Sequence, residues 1–374
     1  MRGPERKKIL IMTASIGSGH VKAAEAIRDE LRARFPEYEV RMLDFMDRRV
    51  SAINSLLKRL YLTMLDFVPN LYDVFYHIAG GASGGTAARQ VFALLMYRTM
   101  ARLIRRHAPD VLVCTHPFPE GAAALWKRIH RGDLRLVVVL TDYSLHPIWI
   151  YRQVDCFFTA TEEMRQGLLQ QGFPEDAVHA CGIPLGPSIE RASGREEARS
   201  SLGISKEARV VLIMGGGLGL GGIEATLDEL EKLELPLEFL VVAGRNRKLK
   251  SRLVARSETS RHGIRVWGYT GDVYVLMRAA DLLVTKPGAL TMSEALALGL
   301  PMLLHEPIPG PETENAIYAE SHGAALWVRH GSSIAQILGR IFCEGDCLER
   351  MRARSRACGH PEAARNIVER IVTQ

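Results

Sequence analysis

Short runs of Val, Ile and Leu alternate along this chain with longer stretches whose apolar residues recur every three to four positions. The runs are too short for helices and too continuous for half-solvated strands, so they predict strands buried on both faces. In the first half they fall near 7–12, 39–44, 110–115, 135–142, 156–160 and 178–182. In the second half they fall near 209–214, 237–243, 264–268, 282–286, 301–305 and 324–328. Strand and helix in regular alternation specify a parallel α/β architecture. Each half opens the same way, with a strand, a Gly-rich turn and a helix. The expectation is therefore two Rossmann-like units in tandem with a cleft between them.

The polar, turn-rich stretch from Gly186 to Ser201 (GPSIERASGREEARSS) is taken as the linker. One insertion breaks the alternation. Residues 45–108 separate the second strand from the third and read as helical throughout. Within it, 53–79 is rich in Leu, Tyr and Phe, but Lys58, Arg59, Asp66, Pro69 and Asp73 stop it spanning a bilayer. Further on, Met96, Met100, Leu103 and Ile104 share one helical face, while Arg98, Arg102 and Arg105 share the opposite one. Two readings follow: a core-packed helix with a solvated basic face, or a surface that docks on anionic lipid.

Composition narrows the class. The 374 residues are 47% hydrophobic and 24% charged, which suits about two globular domains and excludes a disordered or fibrous chain. The 48 Lys and Arg against 42 Asp and Glu give a mild excess whose placement is uneven. Between Arg41 and Leu60 stand five basic residues and two acids, and from Thr86 to His107 five arginines and no acid. Such local basic surface points to phosphate or anionic lipid. The six cysteines form no CxxC pair, so neither a zinc site nor a disulfide framework is expected. Met1 to Lys8 is charged and runs straight into Ile9–Met12 instead of a secretory apolar core. The expected location is cytoplasmic, peripheral on the cytosolic face of a membrane.

Four segments carry candidate chemistry. Thr13–His20 (TASIGSGH) follows a strand and precedes a helix, where backbone N–H groups gather at the carboxyl end of a sheet. His20 closing that turn either accepts a proton from a hydroxyl or merely hydrogen-bonds its loop. Gly215–Gly222 (GGGLGLGG) suits a pyrophosphate. A dinucleotide site wants an acid at the end of the next strand, and Ala243, Gly244, Arg245 and Asn246 supply none. Lys286–Glu294 (KPGALTMSE) reads as a helix start with Glu294 in the first turn, suited to a diphosphate and ribose hydroxyls or to plain capping. In the turn-rich loop Pro307–Asn315, Glu312, Glu314 and Asn315 either grip sugar hydroxyls or form plain surface. No D-x-D, P-loop or G-x-S-x-G motif is present, so no metal site or metal-bound donor of the D-x-D kind is expected.

Taken in order, these segments resemble the monogalactosyldiacylglycerol synthase and processive diacylglycerol glucosyltransferase group of glycosyltransferase family 28. The resemblance rests on GSGHVKAAEAI (17–27), THPFP (115–119), TDYSLHPIW (141–149), CGIPLGP (181–187), MGGGLGLGG (214–222), VAGRN (242–246), GYTGDV (268–273), ADLLVTKPGALTMSEALALGLPML (280–303) and PIPGPETENA (307–316). It implies a GT-B fold of two Rossmann-like parallel-sheet domains facing a central cleft. Residues 1–190 would bind acceptor and lipid, with 45–108 as the membrane-docking insertion. Residues 200–360 would bind UDP-sugar, and 361–374 would return to the first domain as a helix.

The implied reaction is an inverting, metal-independent transfer of a hexose, glucose or galactose, from a UDP-sugar to the hydroxyl of diacylglycerol. UDP-sugar is then a co-substrate, no cofactor is needed, the surface met is an anionic membrane, and no nucleic acid is involved. By the same resemblance His20 is the base or contacts the acceptor. Gly17, Ser18, Gly19, His116, Asp142, His146 and Trp149 line the acceptor side. Gly216, Gly217, Arg245, Asn246, Tyr269, Thr270, Gly288, Ala289, Leu290, Thr291 and Glu294 surround UDP, with Glu312 and Asn315 at the sugar.

One position departs from the group's pattern. Its members usually carry PGQE in the last loop, whereas Pro311 stands here in the Gln position, and a prolyl ring has no carboxamide to offer a sugar. That leaves the choice of hexose open. Two other readings share these motifs: a nonenzymatic UDP-sugar-binding protein at the membrane, and a nucleotide-sugar 2-epimerase of the same fold, which has no use for a basic helical insertion.

Overall fold

The computed structural model describes residues 6–52, 54–56, 84–216, 222–308 and 310–373. The first elements are β1 (Lys8–Thr13), α1 (Gly19–Arg34), β2 (Glu39–Asp44), α2 (Gly84–His107), β3 (Val111–Cys114), α3 (Pro117–His130), β4 (Arg135–Val139), β5 (Cys156–Thr159), α4 (Glu162–Gln170) and β6 (Val178–Ala180). There follow α5 (Arg195–Ser201), β7 (Val210–Met214), α6 (Ile223–Leu230), β8 (Glu238–Val242), α7 (Arg247–Ser257) and β9 (Gly263–Trp267). The remainder is α8 (Val273–Ala279), β10 (Leu282–Thr285), α9 (Ala289–Leu298), β11 (Met302–Leu304), α10 (Pro311–Ser321), β12 (Ala325–Trp327), α11 (Ile334–Cys343), α12 (Cys347–Cys358) and α13 (Ala363–Thr373).

All twelve strands lie where the apolar runs put them. They form two six-stranded sheets, ordered β2-β1-β3-β4-β5-β6 and β12-β11-β10-β7-β8-β9. Every pairing is parallel. The sequences VLVC of β3 and VVLIM of β7 are buried at every position, as strands covered by helices on both faces must be. In each sheet the strand order reverses beside the first strand, between β1 and β3 and again between β7 and β10. Loops leaving the carboxyl ends of such a pair diverge, which is where open α/β sheets take ligands.

The chain divides into two compact units: Met1–Pro187 with Pro309–Pro311 and Glu362–Gln374, and Ser188–Ile308 with Glu312–Pro361. In the first, Ile9, Ile11, Ala24, Ile27, Val113, Val137 and Phe158 form a core that also takes Ile367, Val368 and Ile371 of α13. Arg135 donates to the Ile371 carbonyl at 2.8 Å, and Arg34 pairs with Glu369 at 2.7 Å. Each of those three fully buried aliphatics contributes about 1.5–3 kcal/mol. In the second unit Val211, Ile213, Phe239, Val241, Leu253, Val284 and Leu338 form the equivalent core.

The stretch taken as a linker is only partly one. Its second half is α5, and Arg199 on that helix is 2% exposed. Arg199 donates to the carbonyls of Ala279 (3.0 Å), Ser205 (3.2 Å) and Lys206 (2.6 Å), and to Asp281 at 2.9 Å. Asp281 also accepts from the Val210 amide at 2.8 Å, so a segment that is polar in composition is stitched to the first strand of its unit.

The insertion is described only in part. Residues 45–50 are turns and not helix, and most of the aromatic piece 53–79 lies outside the described residues. Helix α2 buries Met96, Met100, Leu103 and Ile104, as its periodicity requires. Among the described residues no helix is long and apolar enough to cross a membrane.

Candidate functional site

In the first unit the turn after β1 is fixed from the side by Asp44 at the end of β2. Its carboxylate accepts from the Ser15 amide at 3.1 Å and the Met46 amide at 2.9 Å, and bonds the Ser15 hydroxyl. The acid that in a dinucleotide site would take a ribose is here bound to the loop. Gly17 has φ +81°, a conformation that suits glycine, and no atom stands where a side chain would go. Ser18 makes no side-chain cap at the start of α1.

His20, in the first turn of α1, is held across the switch point by residues at the ends of β3 and β4. Its Nδ1 lies 3.0 Å from the Thr115 carbonyl and 2.6 Å from the Thr141 hydroxyl. The Thr115 hydroxyl donates to the His20 carbonyl at 3.0 Å. A carbonyl can only accept, so Nδ1 carries the proton and Nε2 keeps its lone pair. Burial pushes the imidazole down to about 4, a shift that the Thr115 bond only partly offsets. His20 is therefore neutral at pH 7.

His116 caps α3, its Nδ1 accepting from the Phe118 amide at 3.1 Å. That bond fixes the opposite tautomer, with the proton on Nε2. Its ring meets His20 edge-on with centroids 4.6 Å apart, and burial, then the neighbouring His20, holds it well below the usual histidine range. Trp149 is 2% exposed and 6.3 Å from His20 between centroids. It ends the short 3-10 turn Pro147–Trp149, which His146 caps through Nδ1 and the Ile148 amide at 3.2 Å. Asp142 follows Thr141 directly and is half-buried. The structure thus brings His20, His116 and Trp149 together, with Asp142 and His146 on the same loop as Trp149.

In the second unit, Gly216 (φ +69°) turns the chain after β7. Gly217 lies outside the described residues. Gly222 and Gly288 precede α6 and α9, and neither helix has a side-chain cap. Helix α9 starts at Ala289, so Ala289, Leu290 and Thr291 form its first turn. Glu294 falls one turn further in than the sequence suggested. There it accepts from the Tyr274 hydroxyl at 3.2 Å. Burial and the Glu294 charge raise Tyr274 and keep it a donor.

Arg245 lies over the Tyr269 ring at 4.5 Å, and both are exposed. Asn246 caps α7 through the Leu249 amide at 3.0 Å, and the Thr270 hydroxyl accepts from the Asp272 amide at 3.0 Å.

Two of the residues expected at the sugar, Asn315 and Glu312, make bonds within the protein. Asn315 is 1% exposed and donates to the Pro287 carbonyl at 3.1 Å, bracing the turn that leads into α9. Glu312 is bound by Lys286 and by the Ile308 amide at 2.9 Å. Lys286 was missed as a site residue, although a Lys ending a strand before Pro-Gly is a visible signal. Thr141 was missed as well, because its partner lies 121 positions earlier. Pro311 is the first residue of α10, where its fixed φ fits and no N–H is needed. Among the described residues no three His, Cys, Asp or Glu side chains form a group that could hold a metal ion.

Two family profiles match in tandem: monogalactosyldiacylglycerol synthase over residues 20–185, and the glycosyltransferase family 28 C-terminal domain over residues 210–366. The processive diacylglycerol beta-glucosyltransferase of Bacillus cytotoxicus is 31% identical over 369 residues, spanning 98% of this chain and 94% of that one. Among solved structures, MurG of Acinetobacter baumannii superposes with a TM-score of 0.63 at 17% identity, covering 98% of this chain and 100% of its own. Anabaena HepE in complex with UDP-glucose gives 0.54 at 16% identity with the same coverage. These likenesses give the fold as GT-B.

Proposed function

Because this chain belongs to the monogalactosyldiacylglycerol synthase and processive diacylglycerol glucosyltransferase group of glycosyltransferase family 28, we propose that it transfers a hexose from a UDP-sugar to the hydroxyl of diacylglycerol. Glucose is the first candidate, since the curated relatives are beta-glucosyltransferases. The observation that carries the reading is His20, neutral, with Nδ1 anchored and Nε2 left as the acceptor.

In this reading His20 Nε2 takes the proton of the lipid hydroxyl as its oxygen bonds to the anomeric carbon and the bond to UDP breaks. A single displacement of this kind inverts the configuration. The electron pair leaves on the diphosphate, whose charge the amides of the Gly216 turn and of the uncapped start of α9 would stabilise. No resident metal or cofactor is invoked. His116 and Trp149 wall the acceptor side. Arg245, Tyr269 and Glu294 serve the nucleotide.

The lipid-facing surface in this reading is the exposed stripe of α2. Val91, Leu94 and Leu95 are 57%, 66% and 50% exposed and continue along the helix into exposed Arg98, Arg102 and Arg105. Aliphatic side chains ahead of a row of arginines suit an anionic bilayer surface.

The test is a transfer assay with purified protein, diacylglycerol vesicles containing anionic lipid, and UDP-glucose or UDP-galactose in parallel. Glycolipid formed from either donor supports the reading, and the preferred donor identifies the hexose. UDP binding with no donor consumed would overturn it in favour of a nonenzymatic UDP-sugar-binding protein.

A further inference from the structure

Lys286 and Glu312 form an ion pair whose side chains are 17% and 14% exposed. It sits at the switch point of the second sheet, between the two turns that offer backbone amides. A methyl group placed on Gly216 would lie 3.9 Å from Lys286 Cε, and one placed on Gly288 would lie 3.7 Å from Glu312 Oε1. The other carboxylate oxygen of Glu312 accepts from the Ile308 amide at 2.9 Å. Lys286 is thus neutralised from within the protein, and both carboxylate oxygens of Glu312 are occupied.

We infer that this is an exchangeable pair opened by a nucleoside-diphosphate sugar. The diphosphate replaces Glu312 as the partner of the Lys286 ammonium, and the released carboxylate accepts from hydroxyl groups of the transferred sugar. The inference rests on the UDP-sugar reading and goes further, to a positioning role for Lys286.

Three physical points support it. A half-buried ion pair gains little net stability, because desolvation offsets much of its attraction. A diphosphate brings more negative charge than one carboxylate into the same environment and so competes well for the ammonium. Lysine carries a point charge on a flexible stem, which can change partner by rotamer change alone.

The exchange predicts effects of opposite sign. In calorimetry with the full chain, Lys286→Met weakens UDP by about tenfold or more, while uridine, which has no phosphate, binds as before. Glu312→Gln removes the competitor, so UDP binds several-fold tighter. The same variant loses the extra affinity of UDP-glucose over UDP. An unchanged or weakened UDP affinity in Glu312→Gln overturns the exchange, as does normal UDP binding by Lys286→Met. Should Lys286→Met not fold, the isosteric Glu312→Gln decides alone. A wild-type chain that does not bind UDP would instead remove the donor reading beneath it.

Discussion

The Thr141 hydroxyl lies 2.6 Å from His20 Nδ1, the same ring nitrogen that faces the Thr115 carbonyl. Two groups at the ends of adjacent strands therefore orient one imidazole without a carboxylate. A neutral hydroxyl and a carbonyl fix the tautomer but lend no charge to the imidazolium once it forms.

Replacing Thr141 by Val keeps the shape and removes the hydroxyl. Steady-state kinetics should show kcat reduced about tenfold, the equivalent of one lost hydrogen bond of about 1.4 kcal/mol, with KM for lipid little changed. Thr141→Ser should stay near wild type. A Thr141→Val enzyme with full kcat would separate the hydroxyl from catalysis.

The pH profile tests the buried imidazole. With His20 pushed down to about 4, its base form persists through pH 5 and 6, so kcat/KM should stay level there and fall near pH 4. An acid limb centred near 6.5 would indicate a solvated base instead. Stability should begin to fall at a higher pH than activity. The unfolded chain takes up protons at these histidines below about pH 6.5 that the folded chain refuses, so the protein loses stability from there down toward pH 4.

Glu294 and Tyr274 test the nucleotide side. Glu294→Ala should weaken UDP binding about tenfold in calorimetry, the cost of about 1.4 kcal/mol for a charged hydrogen bond to a ribose. Tyr274→Phe keeps the carboxylate and removes only its 3.2 Å donor, so its effect should be a few-fold at most. Equal losses in both variants would mean that the pair acts as a brace and not as a nucleotide contact.

Arg199→Met tests the buried arginine of α5. It removes the guanidinium that donates to the Ala279, Ser205 and Lys206 carbonyls and leaves Asp281 with one fewer cationic partner inside the unit. Denaturation by urea should show a loss of about 3 kcal/mol, in the range for removing one partner of a buried ion pair.

Strand placement was legible because Val211, Leu212 and Ile213, like Leu136, Val137 and Val138, are buried on both faces and so leave unbroken apolar runs. The Gly-rich turns were legible because Gly17 and Gly216 adopt positive φ. What the sequence hid was pairing at a distance. Nothing near Lys286 announces Glu312, 26 residues on, and nothing near His20 announces Thr141. Arg199 misled for a related reason. A string of Arg, Glu and Ser looks solvated until Asp281 and three carbonyls close around its guanidinium.

The seating of α13 against the first sheet bears on how the protein is made. Ile367, Val368 and Ile371 complete a core begun by Ile9 and Ile11, and the whole second unit is encoded between them. On the ribosome the earliest strands must wait with an unfilled apolar face until synthesis has passed residue 371. The unit that starts first is thus the last to finish, and through that interval its open face is a surface for chaperones to shield.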